Sequence, residues 1–436
     1  MKLKNRYQLL ILVLLSATSL QAQQTLSIEE ALKIALENNY EIKIASNNLK
    51  MDQTNNTIGN AGMLPTVTAS VVDNNNVQNL SQTRSDGTVN SVDNGKSNSL
   101  TYGVGLNWTI FDGMKMFAKK EQLEELQKLG ESTLRLNILT KISDVYATYY
   151  DLVQQQQQLK ALDSTLIISN QRLDLADNRF SIGKASRLEV LNAQVDLNTD
   201  KVTLLRQKEL FNNTKILLNQ ILARDTNIDF KVVDLIRVDT NLKLAELSDL
   251  AQKQNPQLEA QIINKRIAEL QLKQVKASRY PTLKVNTGYN FSENESSLGF
   301  TTQSSARGFN YGFSASLNLF DGLSQHRNEK IANLAIENAE IQIKQQNQTL
   351  ETQLATAYQT YLTNIELISL EANNEAIAKK NLEITLDKFH IGTITTLEFR
   401  TAQLNYINAS VRYTNAQYEA KLSEIALKEL AGKLDY

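Results

Sequence analysis

One ten-residue pattern occurs twice in this chain and limits the possible folds more than any other feature. The segments Phe180 to Glu189 (FSIGKASRLE) and Phe389 to Glu398 (FHIGTITTLE) share Phe-x-Ile-Gly-x-x-x-x-Leu-Glu and lie 209 residues apart. Each sits between long stretches of helical periodicity. Gly183 and Gly392 suit the left-handed position just past a helix end, where a Cβ is penalised. Ser186-x-x-Glu189 and Thr395-x-x-Glu398 read as capping boxes that start the next helix. The pattern therefore predicts two helical hairpins within a duplication of roughly half the chain.

Composition supports long helices, because 436 residues contain only three prolines and 16 glycines. The 46 basic and 47 acidic residues nearly cancel, which leaves no global basic field to attract nucleic acid. The start differs from the rest. Lys2, Lys4 and Arg6 precede the apolar run Leu9 to Leu15, and small and polar residues follow to Ala22. That layout predicts a signal peptide over 1–22. No other stretch approaches the roughly 20 apolar residues of a membrane-spanning helix, so an exported chain that meets a membrane again would do so by strands. Cysteine is absent, which excludes disulfides, thiolate metal sites, a cysteine nucleophile and a lipid on a terminal cysteine.

In chain order, Ser27 to about Ala61 reads as a helix, opened by Ser27-Ile-Glu-Glu30 and ended by Gly62 and Pro65. Alternation follows at Val67, Ala69 and Val71, then a polar stretch from Asp73 to Ser99 that reads as a loop. From Leu100 to Ile110 the apolar residues, Tyr102 and Trp108 among them, alternate with small polar ones, as a membrane strand of about ten residues requires. Beyond Phe111-Asp-Gly113 a proline-free helical pattern of about 65 residues reaches the first tip. The run Gln154 to Gln158 on it reads as solvated helix surface. A helix from Arg187 to about Ala223 leads into aperiodic sequence at Arg224 to Leu244.

The second half repeats the plan. A helix runs to about Ser278. Strands at Val285 to Phe291 and Phe309 to Leu319 flank a polar loop, and Phe320-Asp-Gly322 repeats the first junction before a helix of about 66 residues and a last one to about Ala431. In the first half the two short helices together match the long one, which at 1.5 Å per residue spans on the order of 100 Å. They are expected to stack end to end beside it, meeting near Arg224 to Leu244. Four strands cannot close a barrel, and open edges are not tolerated in hydrocarbon, so the barrel must be shared between chains. Two chains would give eight strands and a filled interior, three would give twelve and a lumen. Small polar residues at Gly103, Gly105, Ser314, Ser316 and Asn318 favour the wet option.

With these features the sequence resembles the TolC-like outer membrane efflux protein family from about Thr25 to the C-terminus. The resemblance rests on the duplication, the paired Phe-Asp-Gly junctions and the Ile-Gly tips with Leu-Glu beyond them. It implies a mainly α fold with a membrane β-barrel portion: duplicated long helical hairpins and four strands per chain in a shared 12-stranded barrel of a homotrimer. The implied organisation is 1–22 signal peptide, 23–224 first repeat, 225–245 equatorial junction and 246–436 second repeat. The implied function is a passive outer-membrane exit duct for small toxic compounds or exported protein, fed by an inner-membrane pump through a periplasmic adaptor.

The family's adaptor-contacting tip resembles Ile182, Gly183 and Lys184 with Ile391, Gly392 and Thr393. Its constriction acids match Glu189 and Glu398, while a further family acid falls at Thr401, preceded here by Arg400, so the gate candidates are Glu189, Glu398 and Arg400. Glu189 and Glu398 are also ordinary helix-start glutamates. Trp108, Tyr289, Phe291, Phe309 and Tyr311 read as an aromatic belt against outer-membrane lipid. His326 and His390 read as surface residues, and no motif suggests a cofactor or catalysis. A periplasmic coiled-coil adaptor would also carry an export signal, but it needs one hairpin, not two; an independent porin needs eight strands per chain.

Overall fold

The computed structural model describes residues 25–298 and 301–434. The predicted signal peptide therefore lies outside the described residues. In chain order the elements are β1 (Thr25–Leu26), α1 (Ile28–Asn38), α2 (Tyr40–Asn55), β2 (Thr66–Thr83), β3 (Val89–Asp112), α3 (Lys115–Ser181) and α4 (Arg187–Ile221). There follow β4 (Lys231–Val232), α5 (Leu244–Gln254), α6 (Pro256–Ala277), β5 (Thr282–Ser296), β6 (Gln303–Ser316), α7 (Ser324–Ile391) and α8 (Thr396–Leu430). The chain forms two compact units. One takes the chain up to residue 47 with 132–259 and 345 onward, the other 48–131 and 260–344.

The sheet in the second unit has the order β2-β3-β5-β6, antiparallel throughout, with β2 and β6 as open edges. Register fixes its two faces, because directly opposed residues share a side. The rows Ala69–Val104–Tyr289–Phe309 and Val67–Leu106–Thr287–Tyr311 present bulky side chains on one face. The intervening rows Gly103–Asn290–Gly308 and Gly105–Gly288–Asn310 are small and polar on the other. Tyr102 stacks on Phe291 with centroids 5.0 Å apart, while Trp108 donates through Nε1 to the Met63 carbonyl oxygen at 2.9 Å. From Leu283 to Phe291 along β5 the sheet rises roughly 27 Å at 3.4 Å per residue, close to the apolar band of about 25 Å expected of a membrane barrel. Glu293 and Glu295 follow at once.

The stretch Asp73 to Ser99, read above as a loop, is instead a paired ribbon. β2 and β3 stay in register from Asp73↔Leu100 to Thr83↔Val89, with a shift between Gln78 and Leu80. The ribbon turns at Asp86-Gly87, where Gly87 has φ +86° and Thr88 N–H donates to Asp86 Oδ1 at 2.9 Å. Much of the second polar stretch likewise belongs to β5 and β6. Ladder hydrogen bonds satisfy the backbone whatever the side chains are, so Asn, Ser and Asp hide a strand from any argument based on hydrophobic alternation. The fourth strand also ends earlier than expected, at Ser316, leaving Leu319 and Phe320 exposed beyond it.

The Phe-Asp-Gly junctions have a local cause. Asp112 Oδ1 accepts from Met116 N–H at 3.1 Å and Asp321 Oδ2 from Gln325 N–H at 2.7 Å, so each aspartate caps the long helix that follows. Gly113 and Met114, and again Gly322 and Leu323, have positive φ, which reverses the chain between strand and helix. The long helices measure 67 and 68 residues.

The core of the first unit gathers Tyr149, Leu152 and Val153 of α3 with Leu218 and Leu222, with Phe230 and Val232, and with Leu26, Ala31 and Leu32. Tyr149 hydroxyl donates to the Leu26 carbonyl oxygen at 2.9 Å and accepts from Val233 N–H at 3.1 Å, clamping the parallel pair β1 and β4. The aperiodic junction is thus anchored on the middle of α3. Gln154 and Gln155, expected to be solvated, are buried. Gln154 and Gln158 bond Asn415 of α8, and Gln155 donates to Thr214 Oγ1 of α4 at 3.0 Å, so the run is a polar seam between helices.

The single helices expected at Ser27 to Ala61 and up to Ser278 are each broken, at Asn39 and Asn255. Asn39 Oδ1 accepts from Glu41 and Ile42 N–H (2.9 and 3.2 Å), while its Nδ2 donates to the Ile221 carbonyl oxygen at the end of α4 (2.8 Å). Asn255 Oδ1 accepts from Gln257 and Leu258 N–H (both 3.0 Å), and its Nδ2 donates to the Leu430 carbonyl oxygen at the end of α8 (3.0 Å). One asparagine thereby starts one helix and closes the end of another. This is the end-to-end meeting that the lengths required.

Candidate functional site at the helix tips

Both ten-residue patterns end one long helix at a glycine and start the next within a few residues. α3 ends with Lys184 N–H donating to Arg179 oxygen (2.8 Å) and Gly183 N–H to Phe180 oxygen (3.0 Å), with Gly183 at φ +76°. α7 ends the same way, Thr393 N–H to Lys388 oxygen (3.0 Å) and Gly392 N–H to Phe389 oxygen (3.1 Å), with Gly392 at φ +86°. Both are Schellman closures that only glycine enters without strain. Ile182, Gly183, Lys184, Ile391, Gly392 and Thr393 are all exposed.

The two restarts differ. Thr395 and Glu398 form the complete reciprocal cap, Glu398 N–H to Thr395 Oγ1 at 3.2 Å and Thr395 N–H to Glu398 Oε2 at 2.8 Å. Ser186 accepts from Glu189 N–H at 3.3 Å, but the carboxylate does not return to it. Instead Glu189 Oε1 accepts from Thr396 Oγ1 at 2.7 Å, which ties the start of α4 to the start of α8. The expected capping box at Ser186 is therefore half made. A short threonine across the gap, invisible in the local pattern, competes for the same carboxylate.

Backbone and side-chain hydrogen bonds from Thr395 hold Glu398 below the ordinary glutamate value of 4.5. A lowered folded value means the cap stabilises fully above the unfolded pKa and is lost as pH falls through the folded one. The protection of amides in the first turn of α8, taken relative to intrinsic exchange at each pH, is expected to fall on acidification below about 4.3, the ordinary glutamate value in a peptide, an effect Glu398→Gln should remove. Exchange with equal pH dependence in wild type and variant would show that the carboxylate does not hold this turn.

Behind the tips, Arg179 Nη2 donates to Phe389 oxygen at 2.6 Å and its guanidinium lies 5.0 Å from the Phe389 ring centroid. Phe389 and Phe399, both buried, stack at 4.9 Å against Ile168 and Leu175 of α3. The next residue, Arg400, is also buried. Its guanidinium meets Asp200 through two bonds of 2.8 Å, donates to Gln403 Oε1 at 3.0 Å, and has Asp196 at 3.7 Å. Arg172 pairs with Asp196 at 2.7 Å, and Ser169 donates to Asp200 Oδ2 at 2.6 Å. Burial opposes the Arg400 cation, but Asp200 and Asp196 outweigh it and hold the guanidinium above its ordinary value. Within this chain Arg400 is thus a bridge from α8 to α4. No local pattern marks it, because Arg400 and Asp200 are 200 residues apart and each resembles a surface charge.

The aromatic belt candidates lie where register puts them. Tyr289 and Phe309 are cross-strand partners, Phe309 and Tyr311 are neighbours on the same face, Phe291 borders the polar ribbon, and Trp108 sits near the helical end. His326 and His390 are exposed. Among the described residues no helix is long and apolar enough to cross a membrane.

A sheet with an aromatic outer face and two open edges, carried by a chain with paired capped tips, defines the subunit of a membrane duct whose barrel is shared. The model of the outer membrane efflux protein family matches residues 31–224 and 247–433, and the chain belongs to that family. It is an outer-membrane exit channel with a long periplasmic helical extension. The chain is 21% identical over 350 residues to outer membrane protein TolC of Escherichia coli K12, covering 78% of this chain and 70% of that one. It is 23% identical over 347 residues to outer membrane protein TolC of Vibrio cholerae, covering 78% of each. Among solved structures it superposes on the Campylobacter jejuni CmeC outer membrane channel with a TM-score of 0.77 at 18% identity, covering 93% of this chain and 85% of that one.

Proposed function

We propose that this chain forms a homotrimeric, passive exit duct for small toxic compounds, with three four-stranded sheets closing one 12-stranded barrel in outer-membrane lipid. The observation that carries the reading is the pair of unpaired edges, β2 and β6, on a sheet whose outer face is aromatic. Such edges must be closed by further copies in a bilayer, and the small, polar inner rows suit a water-filled interior better than a packed one. Repeats over 23–224 and 246–436, joined by 225–245 and preceded by an export signal over 1–22, give each protomer two hairpins. Energy comes from an inner-membrane pump, whose class, and whether it also exports protein, is set by the partner.

The six exposed tip residues are the docking surface for a periplasmic adaptor. Glu189 and Glu398 line the constriction, and Arg400 fixes the helices around it. Purified protein is expected to sediment as a trimer and to conduct in planar bilayers. Failure to do either would sink the duct reading. Glu189→Gln with Glu398→Gln is expected to change resting conductance and its cation preference. Unchanged conductance would reduce Glu398 to a helix cap and Glu189 to a tie between α4 and α8.

A further inference from the structure

The two faces of the four-stranded sheet differ in charge as well as in bulk. Opposed residues share a side, so alternate rows from Asn76–Ser97–Ser296 to Thr109–Lys284–Ser314 make up the face opposite the aromatic one. Every residue on it over this span is Asn, Ser, Thr, Gly, Ala or Val, except Lys284. The other charges of the same span all lie on the aromatic side. Arg307 stands opposite Phe291, Asp73 and Glu293 share the next row, and Glu295 lies one row beyond. Glu293 accepts there from the Tyr102 hydroxyl at 3.2 Å.

Lys284 acts on this face as a net charge. It is exposed, and among the described residues no carboxylate pairs with it. Past the register shift at Thr109 and Phe111, the next row on the same face sets Asp112 opposite Thr282. That carboxylate already accepts from Met116 N–H at 3.1 Å, and Lys115 lines the same cavity as Asp112. Lys115 and Asp112 cancel, which leaves Lys284 unbalanced.

We infer that Lys284 of the three protomers forms a ring of cations in the barrel lumen, which favours the exit of anionic over cationic solutes. The inference deepens the trimer reading above and rests on it, since rotation about a common axis puts the three lysines at one height. Twelve strands spaced about 4.8 Å apart and tilted about 40° close at a backbone radius of roughly 12 Å. Each lysine stem carries its ammonium inward from that wall. The field of the ring therefore crosses the lumen at 0.1 M salt, where the screening length is about 10 Å, and fades at 1 M, where it is about 3 Å. Lipid outside the wall strengthens it, because low-dielectric walls focus a field along a wet passage. The glutamates proposed at the tip constriction carry the opposite sign. Whole-channel conductance mixes the two, so the test is local to the barrel.

The chain has no cysteine, so a single introduced thiol reports alone. Asn107→Cys lies on the neighbouring strand, one row from Lys284 on the same face. In outer-membrane vesicles it is treated with 2-sulfonatoethyl or with 2-(trimethylammonio)ethyl methanethiosulfonate, and each rate is divided by that of a small free thiol. In 10 mM salt the anionic reagent is expected to be favoured about five- to tenfold, as three charges roughly 10–15 Å away in water imply, and the preference should vanish at 1 M. Lys284→Gln should abolish it and Lys284→Glu reverse it. Val104→Cys, on the aromatic face, should be shielded from both reagents by lipid. A reactive Asn107→Cys and a shielded Val104→Cys, with the same reagent ratio whether or not Lys284→Gln is added, overturns the lysine ring and leaves the duct standing. An unreactive Asn107→Cys, or equal reactivity at the two positions, removes the barrel reading and the ring with it.

Discussion

Asp200→Ala is expected to lower local stability at the tips by about 3 kcal/mol, the low end of the range for breaking a buried ion pair by removing one partner. The low end applies because Asp196, 3.7 Å from the Arg400 Nε, stays behind to take part of the charge. The loss has two parts. The Arg400 cation loses both 2.8 Å bonds while remaining buried, and Ser169 loses its acceptor. Removing both charges is a different matter. Asp200→Leu with Arg400→Met should recover much of the loss, because apolar residues of similar size replace a buried pair at little cost. The measurement is hydrogen exchange in α4 and α8 on the assembled protein, since local opening is what the pair restrains. An alanine variant with unchanged protection near Asp200 would show that the apolar packing of Phe389 and Phe399 alone holds the hairpins together. Because Arg400 bridges α8 to α4, the same variant should also raise resting conductance.

Asn255→Ala is expected to cost on the order of 1.5–5 kcal/mol at the helix joint, the sum of a lost N-cap, about 0.5–2, and an orphaned, part-buried carbonyl at Leu430, about 1–3. Asn39→Ala should behave alike through Ile221 oxygen. The aspartate variants separate the two parts. Asn255→Asp keeps an acceptor for Gln257 and Leu258 N–H, but it can no longer donate to Leu430 and sets a negative charge beside that carbonyl. An intermediate loss is therefore expected, read as faster exchange at the last turn of α8 with the first turn of α6 still protected. Equal loss in the alanine and aspartate variants would mean that the donor bond dominates. A loss below about 0.5 kcal/mol in both would mean that Pro256, whose fixed φ already suits the first helical position, sets the joint by itself.

The joint has a local signature in the chain. Asn39 and Asn255 stand 216 residues apart, the same offset as Pro65 and Pro281, and Asn before Pro256 is a helix-start signal. The signal was there, but apolar periodicity runs on through both positions and argued for one helix. The Gln154 to Gln158 run failed for another reason. A glutamine looks solvated until a partner such as Asn415, more than 250 residues away, is brought against it.

The sequence by itself determined everything governed by short-range chemistry. The two tips, their glycines, the complete cap at Thr395, the two long helices, the strand alternation and the duplication all follow from φ preferences, capping and periodicity within about ten residues. Family membership follows from the order of those parts. Tertiary structure decided what depends on residues far apart in the chain. It turned Glu189 from its own cap toward Thr396, buried Arg400 against Asp200 and paired the polar ribbon beyond Asp73. The physical reason is common to all three. A charge, an amide or a leucine has the same local propensity whether it faces water or a partner, and only the packed chain supplies the partner.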